Sequence, residues 1–375
     1  MKKTLTALAV SAATLAFGAN AATTANYSAE GNDGNVSGAA LYNKDGNKIV
    51  MNGRVEAVAV VQDGKVADKS RARIGLGGIA QINDNLYGVG YWQGQFSTAD
   101  TGTSVDTGNT VETRYAYAGI GGTFGQVTYG KQDGTLDNVT DMTDIMPYFG
   151  DSASTKLNVG DRPSNTVTYQ GSYNNLTVKA NYRFADYTNS DSGTNNKGTT
   201  ATSSDNGQSG YSGSATYAIG DTGATVAAGY ANQDNSNEWM TGAGYTIGNF
   251  YLGGLYTNGT FAYNTTGTGQ FVGAEGSSAN PYEFTGDQDY RGYEAAASYT
   301  MGKTVFTTTY NRAKTGDYTT TDLAAVDATY YFTSNFRSYV GYQFNLLKSS
   351  DQINGQDVGS ANSEDQAVVG MRYDF

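Results

Sequence analysis

From about Ile49 onward the chain falls into segments of roughly ten residues in which apolar and polar positions alternate, the period-2 pattern of strands with two different faces. The clearest is 175–185, where Leu176, Val178, Ala180, Tyr182 and Phe184 alternate with Thr177, Lys179, Asn181 and Arg183. One face suits hydrocarbon and the other suits water. A soluble sandwich also alternates, but it buries its apolar face against a second sheet and seldom sets Lys, Asn and Arg opposite so many aromatics.

The connections alternate too. Short turns fall near 83–85, 121–125, 171–174, 220–223, 246–249, 301–303 and 333–335, and longer polar stretches near 62–69, 97–110, 131–163, 186–209, 231–238, 258–288, 313–322 and 346–365. Seven short and eight long connections make fifteen, which predicts about sixteen strands. An even number puts both chain ends on one side, with short turns at one rim and long loops at the other. Unpaired backbone groups in hydrocarbon cost several kcal/mol each, so the sheet must close on itself. At this width side chains cannot fill the interior, and a water-filled channel follows. The predicted fold class is all-β, a transmembrane antiparallel up-and-down barrel of about 16 strands.

The N-terminus changes the picture of the first forty residues. Lys2 and Lys3, an apolar run from about Leu5 to Phe17 and the small residues Ala19-Asn20-Ala21 have the form of a secretory signal peptide, residues 1–21. The run is too short for a spanning helix, which needs roughly 20 apolar residues. Residues 22–40 read as a polar extension, rich in Gly and Asn with Glu30 and Asp33, whose composition cannot form a core. The barrel is assigned to 41–375.

Composition agrees with a barrel and excludes several chemistries. The chain has 50 Gly, 3 Pro, 30 Tyr, 14 Phe and 2 Trp, yet its mean hydropathy is −0.48. Many aromatics in a polar average fit an apolar outside around a wet inside. There is no Cys and no His, which rules out His-dependent nucleophilic machinery and argues against a zinc site. No catalytic residue, metal or cofactor is expected. The net charge of −12 makes nucleic acid a poor partner.

Arg71 and Arg73 lie two apart, as do Arg54 and Glu56, and Glu112 and Arg114, so each pair shares one face of its strand. Opposite them fall Ala72, Ile74 and Leu76, then Val55 and Ala57, then Tyr115 and Tyr117. Arg on a lipid face costs roughly 2–4 kcal/mol near the midplane, so the charges are expected to face the lumen. The alternative for each is a side chain that merely solvates the wall, because charge tunes selectivity only where a pore is narrow. In the last segment Val369, Met371, Tyr373 and Phe375 share the lipid face. The plain reading is a final apolar strand; the sharper one makes Tyr373 and Phe375 an assembly signal for the barrel-insertion machinery.

Four segments carry a resemblance. Leu41-Tyr-Asn-Lys-Asp-Gly-Asn-Lys48, Arg71-Ala-Arg-Ile-Gly-Leu-Gly-Gly78, Thr113-Arg-Tyr-Ala-Tyr-Ala-Gly119 and Thr143-Asp-Ile-Met-Pro-Tyr-Phe-Gly150 resemble the general diffusion porins of Gram-negative bacteria, and among them the OmpU-type porins of marine vibrios. The resemblance covers essentially the whole mature chain. It implies an outer-membrane homotrimer of sixteen-stranded barrels amid lipid and lipopolysaccharide, with the third outer loop folded inward as a constriction and an N-terminal extension reaching into the lumen. The family sets acidic loop residues against wall arginines. The acidic side carries over to Asp144, with Asp141 and Asp151 as neighbours, and the basic side to Arg54, Arg73, Arg114 and Arg162. Enteric members read Pro-Glu-Phe-Gly-Gly at the loop tip, where this chain reads Pro147-Tyr148-Phe149-Gly150-Asp151, and carry a lysine where it has Glu112.

The expected function is passive diffusion of small hydrophilic solutes and ions with a weak preference for cations. A substrate-specific sugar channel needs an aromatic ribbon along the lumen, whereas the inward positions read mostly Arg, Thr, Gln, Asn and Glu, with scattered Tyr such as Tyr91. An outer-membrane enzyme is opposed by the missing His. An adhesin, with the barrel anchoring the long loops, is compatible with a pore.

Overall fold

The computed structural model describes residues 36–97, 111–185, 209–263, 282, 284–360 and 362–375. The predicted signal peptide, most of the 22–40 extension and most of the loops at 186–209 and 258–288 lie outside the described residues.

The chain begins with β1 (Ala39–Lys44), β2 (Asn47–Gln62), β3 (Lys65–Asp68), β4 (Arg71–Asn83), β5 (Leu86–Ser97), β6 (Glu112–Gly122) and β7 (Gly125–Lys131). After a long connection come β8 (Thr166–Tyr173), β9 (Leu176–Arg183), β10 (Gly210–Ala218), β11 (Ala224–Gln233), β12 (Ser236–Ile247) and β13 (Phe250–Tyr263). The remainder is β14 (Gly286–Met301), β15 (Thr304–Thr315), β16 (Tyr318–Tyr331), β17 (Phe336–Asn345), a small hairpin β18 (Gln352–Ile353) and β19 (Gln356–Asp357), and β20 (Gln366–Asp374). Each long strand pairs antiparallel with its sequence neighbour, and β20 returns to β2 through Arg54↔Asp374 to Val61↔Ala367. The result is a closed barrel of sixteen strands, β2, β4 to β17 and β20, as the connection count predicts. β1 pairs with Asn47 to Met51 of β2, end to end with β20, and Phe375 exchanges both backbone hydrogen bonds with Gly53 at that seam (2.9 and 3.0 Å).

The alternation becomes two surfaces. Tyr182, Phe184, Tyr211, Tyr230, Trp239, Tyr293, Phe306, Tyr310 and Tyr342 are exposed on the outside, where pleating puts them in one register. Asn181, Arg183, Ser212, Ser214, Glu238, Glu294, Thr307, Thr309 and Asp327 are buried on the other face. Polar side chains thus cover the face that carries the pore.

Three sequence expectations change. The stretches 231–238 and 313–322, read as long loops, are tight connections, because β11 and β12 extend to a two-residue turn at Asp234-Asn235 and β15 and β16 to one at Gly316-Asp317. Polar residues at strand ends look like loop in a sequence although the ladder continues through them. Second, Tyr115 and Tyr117 do not face lipid. The ladder between β5 and β6 slips at Gln93↔Tyr115 and Gly94↔Thr113, so Arg114 is the extra residue of a bulge and the parity beyond it inverts. Ala116, Ala118 and Ile120 point outward and both tyrosines are buried within. Third, Val36, inside the extension that composition leaves without a core, is fully buried against Val50, Tyr87, Tyr91, Tyr115 and Tyr117.

The segment between β7 and β8 holds a four-residue helix, α1 (Asp137–Thr140), and a 3-10 turn at Asn158–Gly160. Its backbone bonds to polar side chains of successive strands: the Val159 carbonyl accepts from Asn181 of β9 (2.9 Å) and Ser212 of β10 (3.0 Å), the Leu157 amide donates to Glu238 of β12 (2.5 Å), and the Met142 carbonyl accepts from Tyr251 of β13 (2.8 Å). On β14, Glu294 accepts from Thr143 (2.5 Å) and the Ala153 amide (2.8 Å). At the tip, Met146 and Phe149 pack with Val58, Ala325, Tyr339 and Val368. Every one of these wall residues sits on the polar face, opposite the exposed aromatics.

Candidate functional site

The basic side forms two neighbouring rungs across the strands at the seam. One rung runs Asp374, Arg54, Arg73, Gln95, Glu112, and the next runs Arg337, Arg372, Glu56, Arg71, Ser97. Cross-strand partners share a face, so pairing alone gathers these charges. Glu56, fully buried, is the hub: it accepts from Arg71 (2.7 Å) and from the hydroxyl of Tyr339 (3.0 Å), and lies 3.8 Å from Arg54. Asp374 lies 2.6 Å from Arg372 and 2.9 Å from Arg337. Arg73 donates to Gln95 (2.7 Å) and Arg114 to Gln93 (3.1 Å); neither makes an ion pair among the described residues. Glu112 is exposed and accepts from the Gln95 amide at 3.5 Å.

Arg114 and Arg162 both lie over the ring of Tyr115, at 5.5 and 5.7 Å from its centroid. The Tyr115 hydroxyl donates to Asp133 (2.8 Å), which also accepts from Arg162 (3.4 Å). Arg162 therefore belongs to the root of the 132–165 segment rather than to the rungs.

The acidic side is on that segment. Asp141, Asp144 and Asp151 influence one another and Glu294, but none pairs with the rung arginines among the described residues. Burial pushes the carboxyl of Asp141 up to about 7, opposed in part by Lys156. Asp144 is also lifted to about 7, by enclosure within the protein and by the charges of Asp151 and Asp141. Behind them Lys156 lies 3.1 Å from Asp161 and 3.8 Å from Asp151, and donates to Asp137. Burial opposes ionisation of Asp161, but Lys156 and Arg162 hold its carboxyl below the usual range.

Asp133, Lys156, Arg337, Arg372, Glu238 and Glu294 are absent from the sequence-derived set. Parity marks three of them in retrospect: Arg372 alternates with exposed Met371 and Tyr373, and Glu238 and Glu294 sit beside Trp239 and Tyr293 on the opposite face, whereas Arg337 lies between half-buried Phe336 and polar Ser338. Nothing in the linear pattern marks Asp133 or Lys156, whose partners include Tyr115 on β6 and Asp137 on the other limb of the loop.

The sequence pattern of the Gram-negative porins matches residues 44–375. Over the full length of both chains, the protein is 50% identical to Outer membrane protein U of Vibrio vulnificus and 46% identical to Outer membrane protein U of Vibrio parahaemolyticus. Among solved structures, Salmonella typhi OmpF in complex with daunomycin matches with a TM-score of 0.68 at 25% identity, covering 90% of this chain and all of that one. A loop-deletion mutant of Vibrio cholerae OmpT shares the fold, with a TM-score of 0.66 at 18% identity over 88% of this chain and all of its own. A closed sixteen-strand barrel with an apolar outside, a polar inside and relatives in the outer membrane places the chain in the Gram-negative porin family, whose members are channels and not enzymes.

Proposed function

We propose that the barrel is a general diffusion pore for small hydrophilic solutes and ions, weakly selective for cations, and that residues 132–165 fold inward to narrow it. The observation that carries this reading is the separation of charge: a segment rich in aspartate lies along the polar face while the arginines of the seam stand apart from it, unpaired with it. The wall carries six arginines (54, 71, 73, 114, 337, 372) against Glu56, Glu112 and Asp374, and the loop carries six aspartates (133, 137, 141, 144, 151, 161) against Lys156 and Arg162. Fully ionised, the narrow region is therefore only slightly negative. Charges beyond a Debye length, about 8 Å at physiological salt, are screened, so this local balance outweighs the total charge. In a planar bilayer under a salt gradient at low ionic strength and pH 8, the reversal potential should indicate cation preference. Asp144→Asn should move it toward anions and Arg73→Gln toward cations. Anion preference in the unaltered pore at pH 8 would overturn the reading.

The raised carboxyls add a pH dependence. Asp141 and Asp144 are charged above about 7 and neutral below it, so acidification removes negative charge from the loop while the arginines keep theirs. Cation preference should fade between pH 8 and pH 5 and pass into a slight anion preference. A reversal potential that is flat across this range counts against these two residues.

The same reading includes a homotrimer, removal of residues 1–21 as a signal peptide, contact with lipid and lipopolysaccharide, and recognition of Tyr373 and Phe375 by the assembly machinery. Support for the trimer comes from the outer surface, which is uneven. β2, β4 and β6 present Val55, Ala57, Ala59, Ala72, Ile74, Leu76, Ala116 and Ala118, with Trp92 of β5 the exposed aromatic among them, while β9 to β17 carry a belt of Tyr, Phe and Trp. Small side chains suit close packing of another copy, and aromatics suit the lipid interface. Unheated protein in SDS should migrate as a trimer; migration as a monomer removes the trimer and leaves the pore.

A further inference from the structure

We infer that Lys156 is a specificity-determining residue, the cation around which both limbs of the 132–165 segment fold and which sets how much of their negative charge reaches the lumen. This rests on the reading of that segment as the constriction. Asp137 and Thr140 lie on the limb leading to the tip, Asp151 and Asp161 on the limb leading back. Lys156 touches all four: it donates to Asp137, lies 3.3 Å from the Thr140 hydroxyl, 3.1 Å from Asp161 and 3.8 Å from Asp151. Its side chain is 14% exposed, so these contacts are shielded from salt in a way that surface pairs are not. The backbone joins the limbs only at their root, where Gly134 donates to Asp161 and Leu136 to Gly160. Farther out, three carboxylates face one ammonium.

The residue type matters. An ammonium is a compact point charge with three donors that reaches several carboxylates at once, whereas a guanidinium is a planar fork that prefers one carboxylate held two ways. Lys156→Arg should therefore restore charge without restoring the fold of both limbs.

Without Lys156 the three aspartates repel one another, and their field is no longer cancelled near the lumen. Lys156→Met should raise the ratio of potassium to chloride permeability about two-fold at low salt and pH 8, the scale of one unit charge acting through water at roughly 8 Å, and should increase open-channel current noise. Lys156→Arg should return the ratio toward that of the unaltered pore while keeping the excess noise. Asp161→Asn, which keeps Lys156 and removes one of its three counter-charges, should shift the ratio toward chloride; it provides the test if the Met variant fails to assemble. Unchanged ratio and noise in Lys156→Met, or an unchanged ratio in Asp161→Asn, overturns the inference. Asp144→Asn in the same bilayers separates the two readings: if it shifts the ratio and Lys156→Met does not, Lys156 alone loses its role, and if Asp144→Asn is silent too, the constriction itself is misassigned.

Discussion

Gly292→Val should lift the 132–165 segment from the wall and, if that segment narrows the channel as proposed, leave a wider, noisier pore with little charge discrimination. The loop backbone lies directly on this glycine: a Cβ at 292 would stand 1.8 Å from the carbonyl oxygen of Ala153, and one at Gly253 would stand 2.0 Å from that of Met142. Backbone cannot yield as a side-chain end can, so the loop must move. Moving Ala153 breaks its hydrogen bonds with Tyr290 (3.0 Å) and Glu294 (2.8 Å). Each bond contributes roughly 0.5–1.5 kcal/mol, and the buried Glu294 oxygen that loses its amide donor costs about 1–3 kcal/mol more, although Thr143 still donates to the other oxygen. Docking should weaken by a few kcal/mol while the barrel, held by its ladders, stays closed. Gly254→Val is the matched control, since its Cβ meets nothing nearer than 3.9 Å. Conductance should rise in the 292 variant and stay unchanged in the 254 variant; equal conductance in both would show that the loop is not held by contact at this strand.

Glu56→Gln should produce the largest shift toward anions of any single substitution in the wall. Glu56 is the only carboxylate touching Arg54 and Arg71 among the described residues, and Arg372 faces it directly in the ladder. Glutamine keeps the shape and the Tyr339 contact but removes the charge, so the arginines remain together without a central anion. Hydrogen bonds to charged groups are each worth roughly 1.5–3 kcal/mol; Arg71 is partly open to water, which argues for the lower part of that range. Thermal unfolding should move down by several degrees, with the reversal potential displaced toward chloride. A variant that is less stable but unshifted in selectivity would make Glu56 a structural clamp remote from the ion path.

The barrel was legible because its cause is local: parity along each strand is written in consecutive residues, and Leu176 to Phe184 show it without help from anything distant. The same parity placed Arg54, Arg71 and Arg73 on the inner face. It failed at Arg114, where one extra residue in a bulge inverted the faces of Tyr115 and Tyr117, since alternation records a slip only once the partner strand is known. It failed differently in the loop. That Lys156 gathers Asp137, Asp151 and Asp161, or that Asp133 bridges Tyr115 and Arg162, depends on how a segment with no repeating period turns back on itself. The resemblance pointed to the 132–165 loop and several of its aspartates, but a pattern shared with relatives does not say which carboxylate is already matched by a lysine.

The seam between β2 and β20 separates two timescales of folding. Around most of the barrel each strand meets a partner adjacent in sequence, so hairpins form with little loop to close. Pairing Arg54 with Asp374 joins positions more than three hundred residues apart, for which ring closure costs about 5 kcal/mol of chain entropy. That step is expected to come last, after the hairpins have stiffened the intervening chain. Until it is complete, the sheet has two open edges whose backbone groups can pair with any other strand on offer. The hydrogen bonds between Gly53 and Phe375 thus lie at the join that removes both edges from the sheet.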